Sequence, residues 1–343
     1  MLPAGHVADR FDRKSIVLAC LAVQVLCAAA LAAFTAFGMQ RPLPVFAVMI
    51  AFGISRAFNA PANNALMPNL VPAGIFGSAV ALNSSTWQLA TIAGPALGGV
   101  LYAATGPATV YGVVALLLGL SVLSLSGVPP PARSVAADDS GWQSVIDGLR
   151  FVWHRKVVLG AISMDLFAVL FGGATALLPA YADQVLHIGV AGIGWLRAAP
   201  GVGAALTAAW LALRPIGRHA GRAMFSGVAV FGVATVAFGV STSFWLSMFA
   251  LAVLGAADMV SVFVRHVLVQ LETPDPMRGR VGAVSYMFVG ASNELGEFES
   301  GLTASWWGLK PAVMVGGIAT LAVAALWARL FPGLRRLDRF GSQ

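Results

Sequence analysis

The sequence predicts an all-α, polytopic membrane protein of about ten transmembrane helices, and three observations carry that prediction. Apolar residues (AVILMFWYC) make up 58% of the 343 residues, and mean hydropathy is +0.82. Only 10% of residues are charged, whereas a soluble domain carries about 25%. The apolar residues fall in long runs bounded by Pro, Gly and charged clusters, enough for on the order of ten spans of about 20 residues. This composition excludes a cytosolic enzyme, a nucleic-acid binder and a disordered chain. A nucleic-acid partner is therefore not expected, despite the formal charge of +7.

The spans are predicted at roughly 15 to 38, 44 to 66, 78 to 104, 107 to 127, 157 to 181, 190 to 213, 223 to 241, 244 to 267, 281 to 305 and 309 to 331. Basic residues gather in alternate loops: Arg10, Arg13 and Lys14; Arg133, Arg150, Arg155 and Lys156; Arg214, Arg218 and Arg222; Arg278 and Arg280; Arg335, Arg336 and Arg339. The intervening loops hold only Arg41 and Lys310. The positive-inside rule makes the first set cytoplasmic, and an even number of spans puts both ends on that side. Cys20 and Cys27 lie in one apolar run and read as small buried hydrophobes, with no disulfide or metal role. The opening MLPAGHVADRFDRK lacks the order of a secretory signal, so no cleavage is expected.

The stretch from 128 to 156 begins VPPPARSVAADDS, a flexible linker by composition. Trp142, Val145, Ile146, Leu149 and Val152 then follow at helical spacing, which predicts an amphipathic helix lying on the membrane surface. The linker divides the chain into an N-terminal half-bundle (1–127), a connecting segment (128–156) and a C-terminal half-bundle (157–343).

An internal repeat supports two parallel halves. Residues 72 to 99 overlay 274 to 301 at a constant offset of 202, pairing Pro72 with Pro274, Gly77 with Gly279, Ala81 with Ala283, Gly94 with Gly296 and Gly99 with Gly301. A shorter match pairs Gly5, Ala8 and Arg10 with Gly217, Ala220 and Arg222 at an offset of 212. Both matches keep the same side of the membrane, the arrangement of parallel-repeat transporters. Chance similarity between apolar helices is the competing explanation.

Three motifs then identify a family resemblance. Gly5-His6-Val7-Ala8-Asp9-Arg10-Phe11-Asp12-Arg13-Lys14 is similar to the G-x-x-A-D-R-x-G-R-[RK] loop signature of the major facilitator superfamily, with Asp12 in place of the second Gly. Gly94-Pro95-Ala96-Leu97-Gly98-Gly99 resembles the GP-x-x-GG element of exporters, with Ala90 where the family has a further Gly. Arg278-Gly279-Arg280-Val281 followed by Gly290 to Gly301, GASNELGEFESG, resembles the penultimate helix of the enterobactin-exporter and macrolide-efflux branch. The resemblance implies a transporter fold in two six-helix halves, a cytoplasmic gating loop at Gly5, Asp9, Arg10 and Arg13, and no cofactor. It also implies a monomer in the bacterial inner membrane. Gly94 and Gly98, at i and i+4, are expected to admit a partner helix closely, and Pro95 to permit a bend.

The loop signature starts four residues after Met1, and a full span needs about 20. The resemblance therefore implies that the family's first helix and most of its second are missing. An N-terminally truncated form that transports poorly is expected, and a non-transporting remnant that binds ligand is the alternative.

Ionisable residues at membrane depth are costly and face cavities. Those within predicted spans are Arg56, Asp165, Arg197, Asp258, Glu294, Glu297 and Glu299, with Arg265 near a cytoplasmic end. Five carboxylates against two or three arginines cannot all be ionised and paired in a low-dielectric cavity, and a surplus carboxyl is what a proton-driven exporter needs. Glu294 and Glu297 project about 60° apart on one helix face, while Glu299 points about 160° from Glu297. Each Glu reads either as a coupling or substrate group or as a structural ion pair. Arg56, Asn59 and Asn63 form an i, i+3, i+7 stripe. That segment is similar to the family's R-x-x-Q-G-x-G signature, with Asn for Gln and Ala for both glycines. In the family, helices one, four, seven and ten line the cavity, and Arg56, Asp165 and Asp258 fall on the last three.

The expected function is thus export of a small amphipathic molecule, such as a drug or siderophore, driven by proton entry. None of Lys14, Lys156 or Lys310 stands in a G-x-x-x-x-G-K-[ST] phosphate loop, which argues against a primary pump. The absence of H-E-x-x-H and G-x-S-x-G argues against an intramembrane hydrolase.

Overall fold

The computed structural model describes residues 12–39, 41–71, 76–129, 141–214, 216, 218–274 and 277–338. Gly5, Asp9 and Arg10 of the gating loop and the linker stretch 130–140 lie outside them, as do several side chains between 60 and 99, at 141–145 and at 278, 279 and 283. The described residues form helices α1 (Arg13–Ala36), α2 (Pro42–Leu70), α3 (Phe76–Thr105), α4 (Pro107–Ser126), α5 (Gly141–His154), α6 (Lys156–Phe171), α7 (Leu178–Gln184), α8 (Val190–Leu213), α9 (Ala220–Val240), α10 (Phe244–Glu272), α11 (Arg278–Trp307), α12 (Leu309–Leu330) and the short α13 (Pro332–Arg335). Among them, eight stretches are long and apolar enough to cross a membrane, with Lys156–Gln184 counted as one. α3 and α11, at 30 residues each, also have the length.

The helix starts follow from local chemistry. Asp12 caps α1, its carboxylate accepting from the Ser15 amide at 2.9 Å and the Ser15 hydroxyl at 2.6 Å. The residue that departs from the loop signature is therefore the helix cap. α2 and α4 open on Pro42 and Pro107, where a missing amide costs nothing and φ is already helical.

One predicted span is not continuous. The run from 157 to 181 breaks after Phe171 at Gly172-Gly173, passes through a 3-10 turn (Ala174–Leu177) and resumes as α7, with Pro179 in its first turn. Paired glycines followed by proline remove the local preference for a straight helix, although the hydropathy of the run never falters.

By contacts the chain divides into two compact units, one of Met1–Trp87 with Val100–Gly141, the other of Gln88–Gly99 with Trp142–Gln343. In the first, α1 packs against α2 and α4 around Val17, Ala62 and Leu66. Gln24 Nε2 donates to Ser55 Oγ at 3.2 Å, and that hydroxyl donates to the Cys20 carbonyl at 2.8 Å. Lys14 donates to the Ser126 carbonyl at 3.1 Å and to that of Val128, placing a cation on the negative end of α4. α4 itself has no buried residue, which suits an apolar helix facing hydrocarbon. In the second unit, α9 packs against α10 and α12, α8 against α10, and α6 against α11 and α12. Tyr181, Leu196, Phe238 and Leu251 anchor one core cluster, and Met164, Met224, Val264 and Leu268 another.

The repeat at offset 202 extends to the helices themselves. α2, α3 and α4 begin at 42, 76 and 107, and α10, α11 and α12 at 244, 278 and 309; the first two pairs also match in length, at 29 and 30 residues. The neighbours match too, since α1 packs on α2 and α4 as α9 packs on α10 and α12. The shorter match at 212 is out of step with the helix starts, because α1 and α9 begin at 13 and 220.

Candidate functional site

Two of the predicted membrane charges meet in the second unit. Asp165 lies on α6 and Asp258 on α10, and both line a small cavity of about 10 Å³ together with Ser261, Val228 and Phe231. That volume is of the order needed for a single water. Arg265, two turns beyond Asp258 on α10, places Nη2 3.2 Å from Asp165 Oδ2, with both side chains almost fully buried, at 3% and 4% exposed. Its Nη1 donates to Ser285 Oγ of α11 at 3.2 Å. Arg265 thus ties α6, α10 and α11 through one guanidinium. Arg265 Nε and Ser261 Oγ are buried with no hydrogen-bond partner among the described residues.

The geometry explains the grouping. Asp258, Ser261 and Arg265 stand at i, i+3 and i+7 and fall within about 60° on α10. Asp165 reaches them from α6, whose neighbour Thr320 on α12 donates to the Ala168 carbonyl at 3.2 Å. The result is two carboxylates and one guanidinium in an apolar setting. One pair is neutralised by contact, and the second carboxyl faces the cavity and an unpartnered hydroxyl. Breaking such a buried pair from one side leaves an uncompensated charge.

The remaining predicted residues are elsewhere. Arg56 and Asn63 are exposed on α2, and Asn59 is half-buried, its Oδ1 without a partner among the described residues. Side-chain hydrogen bonding between α1 and α2 runs through Gln24 and Ser55, beside the Arg56 stripe rather than through it. Arg197 on α8 is exposed, as are Glu294 and Glu297 on α11, while Glu299 is half-buried. Arg13 is the first residue of α1.

In the exporter motif the close approach is made by a different glycine from those expected. Among the described residues, a Cβ on Gly94 or Gly98 would meet nothing within 4 Å, whereas one on Gly99 would lie 2.8 Å from the Gly194 Cα. A Cβ on Gly194 would in turn lie 2.6 Å from the Pro95 carbonyl oxygen. The reason is geometric: the segment of α3 that clusters with the second unit ends at Gly99, where α8 crosses it.

Sequence reasoning noted Arg265 as a charge near a helix end but did not join it to Asp165, and it missed Ser261 and Ser285. The i, i+3, i+7 spacing from Asp258 was the available signal for Ser261 and Arg265.

Long apolar helices, ionisable side chains grouped between them and an internal repeat are the build of a membrane transporter. The transmembrane secretion effector family matches the chain over residues 1–339. The chain belongs to that family, a branch of the major facilitator superfamily, and is a multi-pass membrane transporter rather than an enzyme. The enterobactin exporter EntS of Shigella boydii serotype 18 and that of Escherichia coli O81 are each 26% identical over 287 residues, covering 83% of this chain and 68% of theirs. Among solved structures, a bacterial homolog of the human lysosomal transporter Spinster superposes with a TM-score of 0.72 at 14% identity, covering 100% of this chain and 87% of that one. A POT family transporter in complex with 5-aminolevulinic acid gives 0.71 at 11% identity, covering 97% and 84%. The nucleoside transporter NupG gives 0.69 at 13%, covering 96% and 86%. These likenesses establish the fold.

Proposed function

We propose that the chain exports a small amphipathic molecule, of the drug or siderophore class, in exchange for protons by alternating access. The observation that carries this reading is the grouping of buried Asp165 and Arg265 with half-buried Asp258. One guanidinium neutralises one carboxylate, which leaves the second carboxyl of the cavity as the acid that would take up and release the coupled proton. Gain and loss of that proton changes the claim of Asp258 on Arg265 and so biases the packing of α6 against α10 and α11. Siderophore chemistry is favoured by the 26% identity to an enterobactin exporter.

Flux from proteoliposomes with an imposed pH gradient tests the reading, with enterobactin and a fluorescent lipophilic dye as probes. Export driven by the gradient supports it, and flux indifferent to the gradient refutes proton coupling. Asp258→Asn is expected to abolish the response to the gradient while leaving probe binding measurable. Glu294→Gln and Glu297→Gln test whether the exposed acids of α11 share the coupling.

The accompanying topology is a monomer in the bacterial inner membrane with both ends cytoplasmic. A reporter fused after Gly189 is expected to read as extracytoplasmic and one after Pro215 as cytoplasmic.

A further inference from the structure

α5 has two faces, and only one of them is covered by protein. Gly148 sits against the Arg280 carbonyl of α11, Val152 is 2% exposed, and Asp147 pairs with Arg280 at 3.2 Å. With half-buried Phe151 these residues dock the helix on a cluster of Val158, Ile162, Val281 and Val284. The opposite face carries Ile146, Leu149 and Trp153, which are 46%, 41% and 69% exposed. At 100° per residue the three fall within about 60° of one another, and Arg150 and His154 follow along the next 80° or so of the surface. Arg150, Arg155 and Lys156 are all exposed. The acid of this helix, Asp147, is turned to the other side by its pair with Arg280.

We propose that this outer face is a membrane-interface anchor that binds anionic lipid headgroups. The position of α5 in the chain decides the occupant. α5 ends at His154 and α6 begins at Lys156, the first residue of a candidate span, with only Arg155 between them. Trp153 is thus three residues from the start of the span, within about 5 Å of it along a helix. A bilayer surface is already present at that depth, and a soluble partner would have to displace it. The chemistry suits an interface: an indole with an apolar body and one polar N–H, two aliphatic side chains entering the acyl boundary, and a basic edge at the height of the phosphates. Guanidinium and ammonium groups pair with phosphate by charge-assisted hydrogen bonds and gain further from an anionic surface. The docking of α5 on α11 through Asp147 and Gly148 makes this anchor a lipid contact for the helix that carries Arg280 and Glu294.

The test uses the full chain with both native cysteines replaced (Cys20→Ser, Cys27→Ser) and a bimane label on Trp153→Cys, or on Leu149→Cys should the first fail to fold. It is reconstituted in phosphatidylcholine vesicles with and without phosphatidylglycerol. The anchor predicts several-fold stronger quenching by a headgroup-nitroxide lipid than by a neutral water-soluble nitroxide. Adding phosphatidylglycerol is expected to widen that difference, and Arg150→Gln, Arg155→Gln and Lys156→Gln together to remove the widening. Three results overturn the proposal: quenching by the aqueous nitroxide equal to that of a label on His187→Cys in the exposed loop, a lipid contact indifferent to phosphatidylglycerol and to the triple variant, or disulfide cross-linking of unlabelled Trp153→Cys between copies.

Discussion

Gly106 and Gly308 stand 202 residues apart and hold the same backbone conformation, with φ of 81° and 86° and ψ of 172° and 165°. Each makes the one-residue turn between two long helices, α3 to α4 and α11 to α12. That region of backbone space is essentially closed to any residue with a Cβ, at a cost of about 1–3 kcal/mol. Gly106→Ala and Gly308→Ala are expected to lower the melting temperature of the purified protein by similar amounts. Gly112→Ala, within α4 and with nothing within 4 Å of an added Cβ among the described residues, serves as the control and leaves it unchanged or raises it.

Asp12 gives a pH prediction with a definite sign. Hydrogen bonds from the Ser15 hydroxyl and the Ser15 amide hold its carboxyl below the usual carboxylate range. A depressed folded value means that the stabilisation is complete above the ordinary carboxylate range and is lost as pH falls through the lower folded value. Once corrected for the intrinsic pH dependence of amide exchange, hydrogen exchange in the first turn of α1 is therefore expected to accelerate on acidification. Asp12→Ala accelerates it at all pH values, consistent with a cap of about 1 kcal/mol, and Asp12→Asn removes most of the pH dependence.

Tyr181 of α7 closes the end of α9. Its hydroxyl lies 2.9, 3.0 and 2.9 Å from the carbonyl oxygens of Phe238, Gly239 and Ser241, sharing one proton among three acceptors. The Gly239 carbonyl belongs to the last helical turn, where intrahelical donors run out, and the Phe238 carbonyl also accepts from the Ser241 amide at 3.1 Å. Tyr181→Phe keeps the ring packing against Phe238 and removes only the donor. It is expected to cost about 1–3 kcal/mol, read as a lower melting temperature with an unchanged oligomeric profile. A stability equal to that of the parent protein would show the hydroxyl to be dispensable.

Span positions were legible because hydropathy and Pro/Gly punctuation act locally: the predicted start at 190 and end at 213 are those of α8. The repeat was legible because its proline and glycine pairs keep one offset along α3 and α11, while the turn glycines Gly106 and Gly308 lie just beyond the overlaid stretches. The break at Gly172-Gly173 escaped because the apolar run continues across it, and hydropathy does not report backbone direction. Asp165 and Asp258 were legible as charges within apolar runs, but their meeting depends on how α6 packs against α10, which periodicity within one helix does not contain. The inward face of α5 was hidden by a glycine: Gly148 scores as neither core nor surface in a hydrophobic pattern, yet it sets which side docks. Gly94 and Gly98 matched a spacing rule, while the crossing is set by where α8 passes.

The crossing of α3 and α8 is testable at Gly99 and Gly194. Both added Cβ atoms would meet backbone, which has no rotamer to yield. Gly99→Val and Gly194→Val are each expected to reduce folded yield strongly, whereas Gly98→Val at the neighbouring open position retains it. Equal yields from Gly98→Val and Gly99→Val would reject the close approach.

The pair of Asp165 and Arg265 distinguishes a structural from a transport role for the buried cluster. Removing Arg265 leaves the Asp165 carboxylate, and with it Asp258, without a counter-charge in the interior; removing Asp165 leaves the guanidinium held only by Ser285. Either single change is expected to cost about 3–5 kcal/mol. Replacing both removes the two charges together, so Asp165→Asn with Arg265→Gln is expected to be substantially more stable than the sum of the single variants predicts. The stability cycle therefore measures the structural coupling, and flux measured on the same double variant reads the other role. If the pair serves only packing, the folded double variant transports like the parent protein. If the pair is part of the coupling machinery, the double variant folds and binds its probe but no longer follows an imposed pH gradient.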